Sequence, residues 1–441
     1  MTGGWRSGPL AVRSFRRLCG GQFASTIGDY CYAVALPWLV LSAHGGAILL
    51  GTVLACYGVP RTVLIPVGGV LADKAGPRTV MLAADAARCV LVAGLAVLAA
   101  RQVVSLAALG PIAALIGAGE GLFIPASFAI MPSLLDEERL AAGNALSTAA
   151  VQAGSLLGPA LGGALVASTG ASTAAFAVDA ASFGLSALTL LLIPRRPAGG
   201  SVAAVAAEAE AEAEPGGPGG GVLALLRRSR ELQVILVVVI AANLASGGMG
   251  DVALPALAHA GYGAAGYGAL LACFAVGGIA GTLGAARTGN LRAPAAFASA
   301  VFLVEAAAIA LVPYLGGEAG AAVLLGVVGA CNGLGNVTML TVLQKRVSPG
   351  LLGRVMGVLM LCSFGSFPLS VAVSGVLVRH LGPAPFFPVA GALVGVAILG
   401  GLTQRDFRTF GARDDVVPEV ADVATDVQAA ADLKAAEGSR K

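Results

Sequence analysis

The feature that most constrains this chain is a succession of twelve long apolar runs separated by short polar segments. Each run is about 20 residues or longer, enough for an α-helix to cross the ~30 Å hydrocarbon core of a bilayer at ~1.5 Å per residue. Charged residues make up 12% of the chain and hydrophobic residues 57%, against roughly 25% charged residues in soluble domains. The sequence therefore predicts an all-α polytopic membrane protein.

The apolar runs form two groups of six. The first run ends near residue 42, and the others cover residues 47–72, 79–100, 105–131, 140–168, 172–194, 231–256, 264–286, 294–314, 320–344, 355–378 and 385–403. Between the groups, AAEAEAEAEPGGPGGG has too little bulky apolar content to fold alone. We predict four segments: an N-terminal six-helix domain (1–194), a cytoplasmic linker (195–230), a C-terminal six-helix domain (231–403) and a cytoplasmic tail (404–441).

The basic residues divide unevenly between the two ends of the predicted spans. Of the 27 Lys and Arg residues, 23 fall on the side of the N-terminus, two in loops on the other side (Arg101 and Arg379) and two within spans (Arg61 and Arg88). Because loops rich in Lys and Arg stay in the cytoplasm, we predict a multi-pass protein of the cell membrane with both termini cytoplasmic. The first run exceeds the ~7–15 apolar residues of a signal peptide, so we interpret it as an uncleaved helix.

An internal repeat relates the two groups of spans. The segment GTVLACYGV at residues 51–59 recurs as GALLACFAV at residues 268–276. Parallel repeats of this kind build two pseudo-symmetric halves related by an axis along the membrane normal. A similar alignment sets Glu120 opposite Asn332, so an acid of the first half is an amide in the second. We infer that charge-dependent work is concentrated in the first six helices.

A short charged segment separates the second and third predicted spans, which makes them antiparallel neighbours. Its sequence, GVLADKAGPR at residues 69–78, fits the pattern G-x-x-x-D-K-x-G-x-R. This pattern resembles the signature loop of the major facilitator superfamily of secondary transporters. The resemblance implies twelve transmembrane helices in two pseudo-symmetric six-helix domains, and a gate in which Asp73 engages the start of the eleventh helix near Gly353 and Arg354, where the helix dipole favours a negative charge. The implied gating residues are Gly69, Asp73, Lys74, Gly76 and Arg78.

The fifth span contains GSLLGPALGG at residues 154–163. Small residues four apart let helices approach closely, and a proline removes a backbone hydrogen bond, so tight packing alone would explain the glycines. With the proline, the pattern resembles the motif of antiporters, mostly drug exporters, within the superfamily. The motif residues are Gly154, Gly158, Pro159, Gly162 and Gly163. Segments at 123–126, 138–146, 176–183 and 353–357 further resemble the branch of macrolide-efflux-like and enterobactin-exporter-like proteins.

Charged residues inside the predicted spans are candidates for function, because each is costly at bilayer depth and usually faces a cavity or a partner. Asp29 lies 12 positions after Arg17, and Arg61 lies 12 positions before Asp73, so both sit roughly 18 Å from the cytoplasmic surface. We predict that Asp29 and Arg61 pair, either as a structural ion pair or as the proton-coupling site. In the second case, desolvation favours the neutral carboxyl and the guanidinium favours the charged one.

The other intramembrane charges lie in later spans. Asp85 and Arg88 are three residues apart on one face of the third helix, which suits a local ion pair. Glu120 comes to a depth similar to that of Arg88, so Asp85 and Glu120 are reserve candidates for proton coupling. Asp179 and Glu305 are single acids in the sixth and ninth spans, and we interpret each as a satisfied polar contact.

The sequence favours a transporter over an enzyme. It contains no G-x-x-x-x-G-K-[ST] phosphate loop for ATP. The three histidines, His44, His259 and His380, fall in predicted outer loops at no metal-ligand spacing, so we expect solvated residues and no metal site. The seven cysteines form no C-x-x-C pair, and we interpret them as small packing residues. We expect no cofactor and no nucleic-acid partner.

Together these features predict a monomeric secondary transporter in the lipid bilayer that alternates access to a midplane cavity by rocking its two domains. By the resemblance, it exports a small amphipathic compound, such as a drug, macrolide or siderophore, in exchange for protons. The fourth helix lacks the intramembrane arginine of many proton-coupled drug exporters. The alternatives are an importer or uniporter of the same fold, and a non-transporting membrane sensor.

Overall fold

The chain is built from α-helices that cross from one end of the molecule to the other. The computed structural model describes residues 8–194, 230–288, 291, 293–346, 349–404 and 407–408. In this part of the chain, twelve helices are long and apolar enough to span a membrane. A helix suits this setting because it pairs every backbone polar group within one segment, as hydrocarbon requires. The twelve predicted spans are confirmed.

The spanning helices are numbered in chain order. They are α1 (Arg13–Ser42), α2 (Gly46–Ala75), α3 (Pro77–Ala100), α4 (Leu106–Ala129), α5 (Glu137–Thr169), α6 (Thr173–Leu191), α7 (Arg230–Gly248, continued by the π-helical turn Met249–Ala253 and by Leu254–Gly261), α8 (Gly263–Ala285), α9 (Pro294–Leu311), α10 (Gly317–Arg346), α11 (Pro349–Leu381) and α12 (Pro383–Thr403). The predicted bounds agree to within a few residues. A larger difference is the start of α11, at Pro349 instead of residue 355.

A single residue, Gly76, joins α2 to α3. Its φ of 84° lies in the left-handed region, which glycine adopts without steric cost. Pro77 then opens α3, where a missing N–H costs nothing and the fixed φ suits a helix. The predicted short hinge between antiparallel helices is thereby confirmed.

The helices pair in the same way in both halves. In the first half, α1 packs on α5 and α6, α2 on α4, and α3 on α4 and α6. In the second half, α7 packs on α11 and α12, α8 on α10, and α9 on α10 and α12. Each pair recurs with both helix numbers raised by six, as expected for parallel repeats. The predicted fold of two pseudo-symmetric six-helix halves is confirmed.

The predicted linker and tail are described only at their edges. Of the linker, residues 195–230, all but Arg230 lie outside the described residues. Of the tail, residues 404–441, the structure describes only residues 404, 407 and 408. Phe407 is 2% exposed and packs with Leu232 of α7 and Val355 of α11, so the first residues of the predicted tail belong to the fold of the second half.

His259 lies in a helix and touches the other half of the protein. Its ring centroid is 5.0 Å from that of Trp38, and its Nε2 atom lies 3.4 Å from Ser42 Oγ. His259 is exposed, as predicted, but its predicted place in a loop is wrong because α7 continues to Gly261, beyond the predicted end at residue 256. His380 likewise lies in the last turn of α11.

We call the two ends of the helical bundle the basic end and the opposite end. The basic end carries Arg13, Lys74, Arg139 and Lys345, at the start of α1, the end of α2, the start of α5 and the end of α10. The opposite end carries the turn between α1 and α2.

The halves meet through α2 with α11, and through α5 with α8. Both contacts place glycine against glycine. A Cβ added at Gly51 would lie 3.2 Å from the Cα of Gly375, and one added at Gly163 would lie 3.0 Å from the Cα of Gly268. These helices therefore approach backbone to backbone, as small residues permit, on the side toward the opposite end.

Toward the basic end, three of these helices have open space beside them. A Cβ added at Gly69 of α2, Gly284 of α8 or Gly357 of α11 would find open space, with no other heavy atom within 4 Å. Contacts between α2 and α11 include Thr62 with the Phe364 carbonyl, near mid-depth, and Gly51 with Gly375, toward the opposite end. The structure is therefore closed at the opposite end and opens toward the basic end.

Candidate functional site

At mid-depth of the first half, Arg61 forms an ion pair with Glu120. Arg61 Nη2 lies 3.1 Å from Glu120 Oε1, and the two side chains are 19% and 23% exposed. The Tyr57 hydroxyl donates a hydrogen bond to the other carboxylate oxygen, Glu120 Oε2. Gly117 and Gly121 of α4 face the backbone of Tyr57 and Arg61 directly, so the close approach of α2 and α4 brings this cluster together.

The predicted pair of Asp29 with Arg61 is wrong, since Glu120 takes the place of Asp29. The reason is that α2 packs far more extensively along α4 than along α1. Asp29 is exposed and lies within electrostatic range of Arg61 and Arg88. No hydrogen bond or ion pair reaches it from the described residues. Asp29 is thus an unpartnered acid beside the Arg61 cluster, and Glu120 does not pair with Arg88.

Arg61 also contacts the second half. Its guanidinium carbon lies 4.8 Å from the ring centroid of Phe364 and 5.7 Å from that of Tyr57, within the range of cation–π attraction. Next to it, Thr62 Oγ1 donates a hydrogen bond of 3.0 Å to the Phe364 carbonyl. The rings of Tyr57 and Phe367 lie 6.3 Å apart. Arg61 therefore sits at the junction of the two halves.

A second ion pair is enclosed within the first half. Arg88 Nη2 lies 2.6 Å from Asp85 Oδ1, and the side chains are 4% and 0% exposed. Ser186 Oγ of α6 donates to Asp85 Oδ2 at 2.6 Å. The guanidinium lies between the rings of Phe123 and Phe183, at 4.7 and 4.3 Å. The predicted local pair is confirmed. Because the pair is buried among α3, α4 and α6, removing only one of its two charges would be strongly destabilising.

The two single acids, Asp179 and Glu305, are satisfied polar contacts, as predicted. Asp179 is 1% exposed and accepts a hydrogen bond from Ser182 Oγ at 3.5 Å. Glu305 is 4% exposed and accepts one from Asn332 Nδ2 at 3.2 Å. Each contact stays within one half of the protein.

The predicted gating motif lies at the basic end of α2 and α3. Asp73 and Lys74 are exposed, and no hydrogen bond or ion pair joins Asp73 to another described residue. Arg78 donates to the carbonyls of Leu190 and Leu191, at 2.8 and 3.0 Å. A cation there satisfies the last carbonyls of α6 and complements its dipole. In this state Arg78 therefore ties α3 to α6 within the first half.

The predicted target of Asp73 is at the start of α11. Gly353 and Arg354 belong to the first turns of that helix, and the side chain of Arg354 lies outside the described part of the chain. Because α2 and α11 have open space beside them toward the basic end, the gate contact stays a prediction for the other conformational state.

The antiporter-like motif makes two different contacts of α5. Three of its glycines face α1, where an added Cβ would collide: Gly154, Gly158 and Gly162. There Cys31 Sγ of α1 donates to the Gly158 carbonyl at 3.4 Å. Pro159 and Gly163 instead lie against Gly268 of α8, in the second half. The motif thus packs the first half together and also forms part of the contact between halves.

Asp251 is an acid near the boundary between the two halves. It is not among the predicted site residues. It lies half-buried in the π-helical turn of α7. Its charge is within electrostatic range of Arg61 and Tyr30, both in the first half. A sequence signal marks it: Asp251 is the one aspartate in the predicted span at residues 231–256, and it follows the glycine-rich segment GGMG. Charges near the boundary between the halves are therefore not confined to the first six helices.

Comparison with known proteins agrees with this architecture. The profile of the Major Facilitator Superfamily matches residues 18–371. The multidrug efflux pump Tap of Mycobacterium tuberculosis (strain ATCC 25618 / H37Rv) is 28% identical over 372 residues, which cover 80% of this chain and 84% of that protein. The enterobactin exporter EntS of Salmonella paratyphi A is 30% identical over 188 residues, which cover 42% and 44% of the two chains.

A solved structure shares the fold at low sequence identity. The crystal structure of a POT family transporter in complex with a thioalcohol conjugated peptide has a TM-score of 0.68 and 14% identity, and the match covers 89% of this chain and 96% of that one. The profile match spans eleven of the twelve helices at least in part. With twelve membrane-spanning helices in two matching halves, this chain belongs to the Major Facilitator Superfamily and is a multi-pass membrane transporter.

Proposed function

We propose that this transporter is a proton-coupled exporter of small amphipathic compounds in the cell membrane. The observation that carries the proposal is the exposed, unpartnered carboxylate of Asp29 beside the Arg61 cluster. Desolvation favours the protonated acid, and a nearby guanidinium favours the ionised one. If rocking of the halves changes either influence, proton binding and conformation are coupled.

Two separate points support export. The positive-inside rule puts the basic end in the cytoplasm, and this end is open, so a compound in the cytoplasm can reach the junction of the halves. The relatives Tap and EntS carry the names of exporters, which favours release at the other side.

Aromatic rings at the junction suit an amphipathic compound. Tyr57, Phe364 and Phe367 lie around the Arg61 cluster, and sites for small molecules combine such apolar surfaces with a few polar groups. Rings of this kind also tolerate compounds of different shape, which accords with the multidrug name of a relative.

The energy source in this proposal is the proton gradient. The sequence has no phosphate loop to bind ATP, and the proposed cycle uses no cofactor. Both six-helix halves come from one chain, so in this proposal a monomer suffices for transport.

Everted membrane vesicles containing the protein test this function. We expect uphill uptake of amphipathic fluorescent dyes into the vesicles, and loss of that uptake when a protonophore collapses the gradient. Vesicles from cells without the protein are the control. Uptake only in right-side-out vesicles would indicate an importer, downhill movement that ignores the protonophore a uniporter, and no movement of any dye would favour a sensor.

A further inference from the structure

The π-helical turn of α7 carries an acid at the boundary between the halves. Met249–Ala253 contacts α1 and α2 of the first half, and α11 and α12 of its own. A π turn inserts an extra residue and redirects the side chains around it, often at functional sites. The Tyr267 hydroxyl donates to the Gly250 carbonyl at 3.2 Å. Asp251 lies at the centre of this turn.

Asp251 lies within electrostatic range of Arg61 and has no close partner among the described residues. It is half-buried, and no hydrogen bond or ion pair joins it to another described residue. Arg61 is within electrostatic range of both Asp251 and Asp29. The Nε atom of Arg61 is buried and makes no hydrogen bond within the described chain, so the guanidinium has unused donor capacity. Arg61 is therefore paired with Glu120 in its own half and within electrostatic range of Asp251, whose π-helical turn contacts α2 across the boundary.

Glu120 and Asp251 differ in whether their distance from Arg61 changes when the two halves rock. Glu120 belongs to α4, whose glycines lie directly against the backbone of α2, so its distance from Arg61 stays constant within one rigid half. Asp251 belongs to the other half, so its distance from Arg61 changes with conformation. Only an interaction that differs between two states shifts the equilibrium between them.

We propose that Asp251 is a positioning residue that acts through Arg61 and stabilises the state closed at the opposite end. Which state Asp251 stabilises follows from the depths of Asp251 and Arg61 in the bundle. Asp251 lies ten residues before the end of α7 at Gly261, and Arg61 fifteen after the start of α2 at Gly46, roughly 15 and 22 Å from that end. Opening of the opposite end therefore separates the two charges.

The inference rests on the proposed alternating access, but its test needs no substrate. Spin labels at Ser168 and Ala265 report the opposite end, and labels at Arg139 and Arg287 report the basic end. Ser168, Ala265 and Arg287 are exposed, and Arg139 is half-buried. The background has the seven native cysteines replaced by alanine. We expect Asp251→Asn to lengthen the first distance and shorten the second, with the ratio of the two states changed by about fivefold or more.

Three further variants separate this role from a general loss of stability. Asp251→Glu keeps the charge and is expected to restore the distances of the parent. Glu305→Gln, which neutralises a buried acid with a partner in its own half, is the matched control and is expected to leave them unchanged. In an Arg61→Gln background, Asp251→Asn is expected to have no further effect, because the interacting charge is already absent.

The proposal is overturned if Asp251→Asn leaves both distances unchanged, if Glu305→Gln produces the same shift, or if the shift persists without Arg61. Should Asp251→Asn not yield folded protein, Asp251→Ser makes the same test with a smaller side chain. A distance shift in a protein that moves no dye would retain this inference and reject the export function.

Discussion

At the scale of single residues, two acids near Arg61 have different surroundings. Glu120 is held by Arg61 and by the Tyr57 hydroxyl, so neutralising it leaves a guanidinium and a hydroxyl without their partner. Asp29 is exposed and has no such contacts among the described residues. An acid that is free to gain and lose a proton without breaking packing is better suited to a transport cycle.

Asp29→Asn is expected to abolish proton-driven accumulation and to leave passive exchange of the compound intact. The amide is close in shape to the acid but cannot exchange a proton, so accumulation should fall to the passive level. Dye accumulation and counterflow in vesicles measure the two properties separately, and a pH jump should no longer drive dye movement.

Glu305→Gln is the control, because Glu305 is a buried acid of the second half whose partner is Asn332. It is expected to retain accumulation. If Asp29→Asn still concentrates the dye and still answers a pH jump, Asp29 has a structural role and the coupling site lies elsewhere.

How far the ion pairs can be predicted depends on how local they are. Asp85 and Arg88 share one helix face, so their spacing in the sequence is enough. The partner of Arg61 is set by which helices pack together. By depth along straight helices, Asp29 and Glu120 are equally reasonable partners of Arg61. Only the close approach of α4 to α2 selects Glu120. Hydropathy carries no information about that approach.

At the scale of helices, the bounds of the spans follow from hydropathy, whereas the π-helical turn in α7 does not. A π turn depends on local packing, here of Met249–Ala253 against α1, α2, α11 and α12. A scan for single acids within apolar runs would have identified Asp251, but not its position against Arg61.

The contact of α5 with α8 leaves no room for a side chain at Gly163. Gly163→Val is expected to disfavour the state closed at the opposite end, because its Cβ would lie 2.7 Å from the Ala264 carbonyl oxygen. Overpacking of this kind costs about 1–3 kcal/mol. The distance between labels at Ser168 and Ala265 should lengthen, and transport should slow severalfold.

Gly94→Ala is the control for this helix contact, since a Cβ there has open space. It is expected to leave both the distance and transport unchanged. An unaltered distance in Gly163→Val would mean that this contact does not hold the observed state.

The gating motif acts, in our interpretation, when the basic end closes. Asp73 is exposed here and has no partner among the described residues, so Asp73→Asn removes nothing from the observed state. We expect transport to be impaired, with binding of a transported dye in detergent changed by less than about twofold, because the carboxylate is needed only near the start of α11.

Asp136→Asn serves as the control, because Asp136 is another exposed acid at the basic end, paired with Arg139 at 3.7 Å. It should leave transport intact. Loss of dye binding as severe as the loss of transport would place Asp73 in the binding site and contradict a gate.

At the scale of the whole molecule, the internal repeat predicts the architecture well. The offset between GTVLACYGV and GALLACFAV indicates two equivalent halves, and the recurring helix pairs confirm it. Which end is closed does not follow from the repeat, since both states preserve the halves. It depends on small differences in the free energy of the contacts between them.

Removal of about eight residues within 198–221 of the predicted linker is expected to leave transport within about twofold of the parent, because a flexible tether contributes only its reach. Vesicle uptake, normalised to inserted protein, measures this. A variant of full length with each glutamate of EAEAEAE replaced by serine is the companion. Collapse of transport in the charge variant alone would assign the acidic run a role of its own.

The glycine contacts at the closed end also bear on energy conservation. At Gly51 with Gly375 and at Gly163 with Gly268, the halves touch through backbone atoms, where no side chain can carry a proton. Water needs polar partners and room to enter such a contact, and the close backbone approach leaves little room. We therefore expect the closed end to limit how much of the membrane's proton gradient leaks while the transporter waits for a compound.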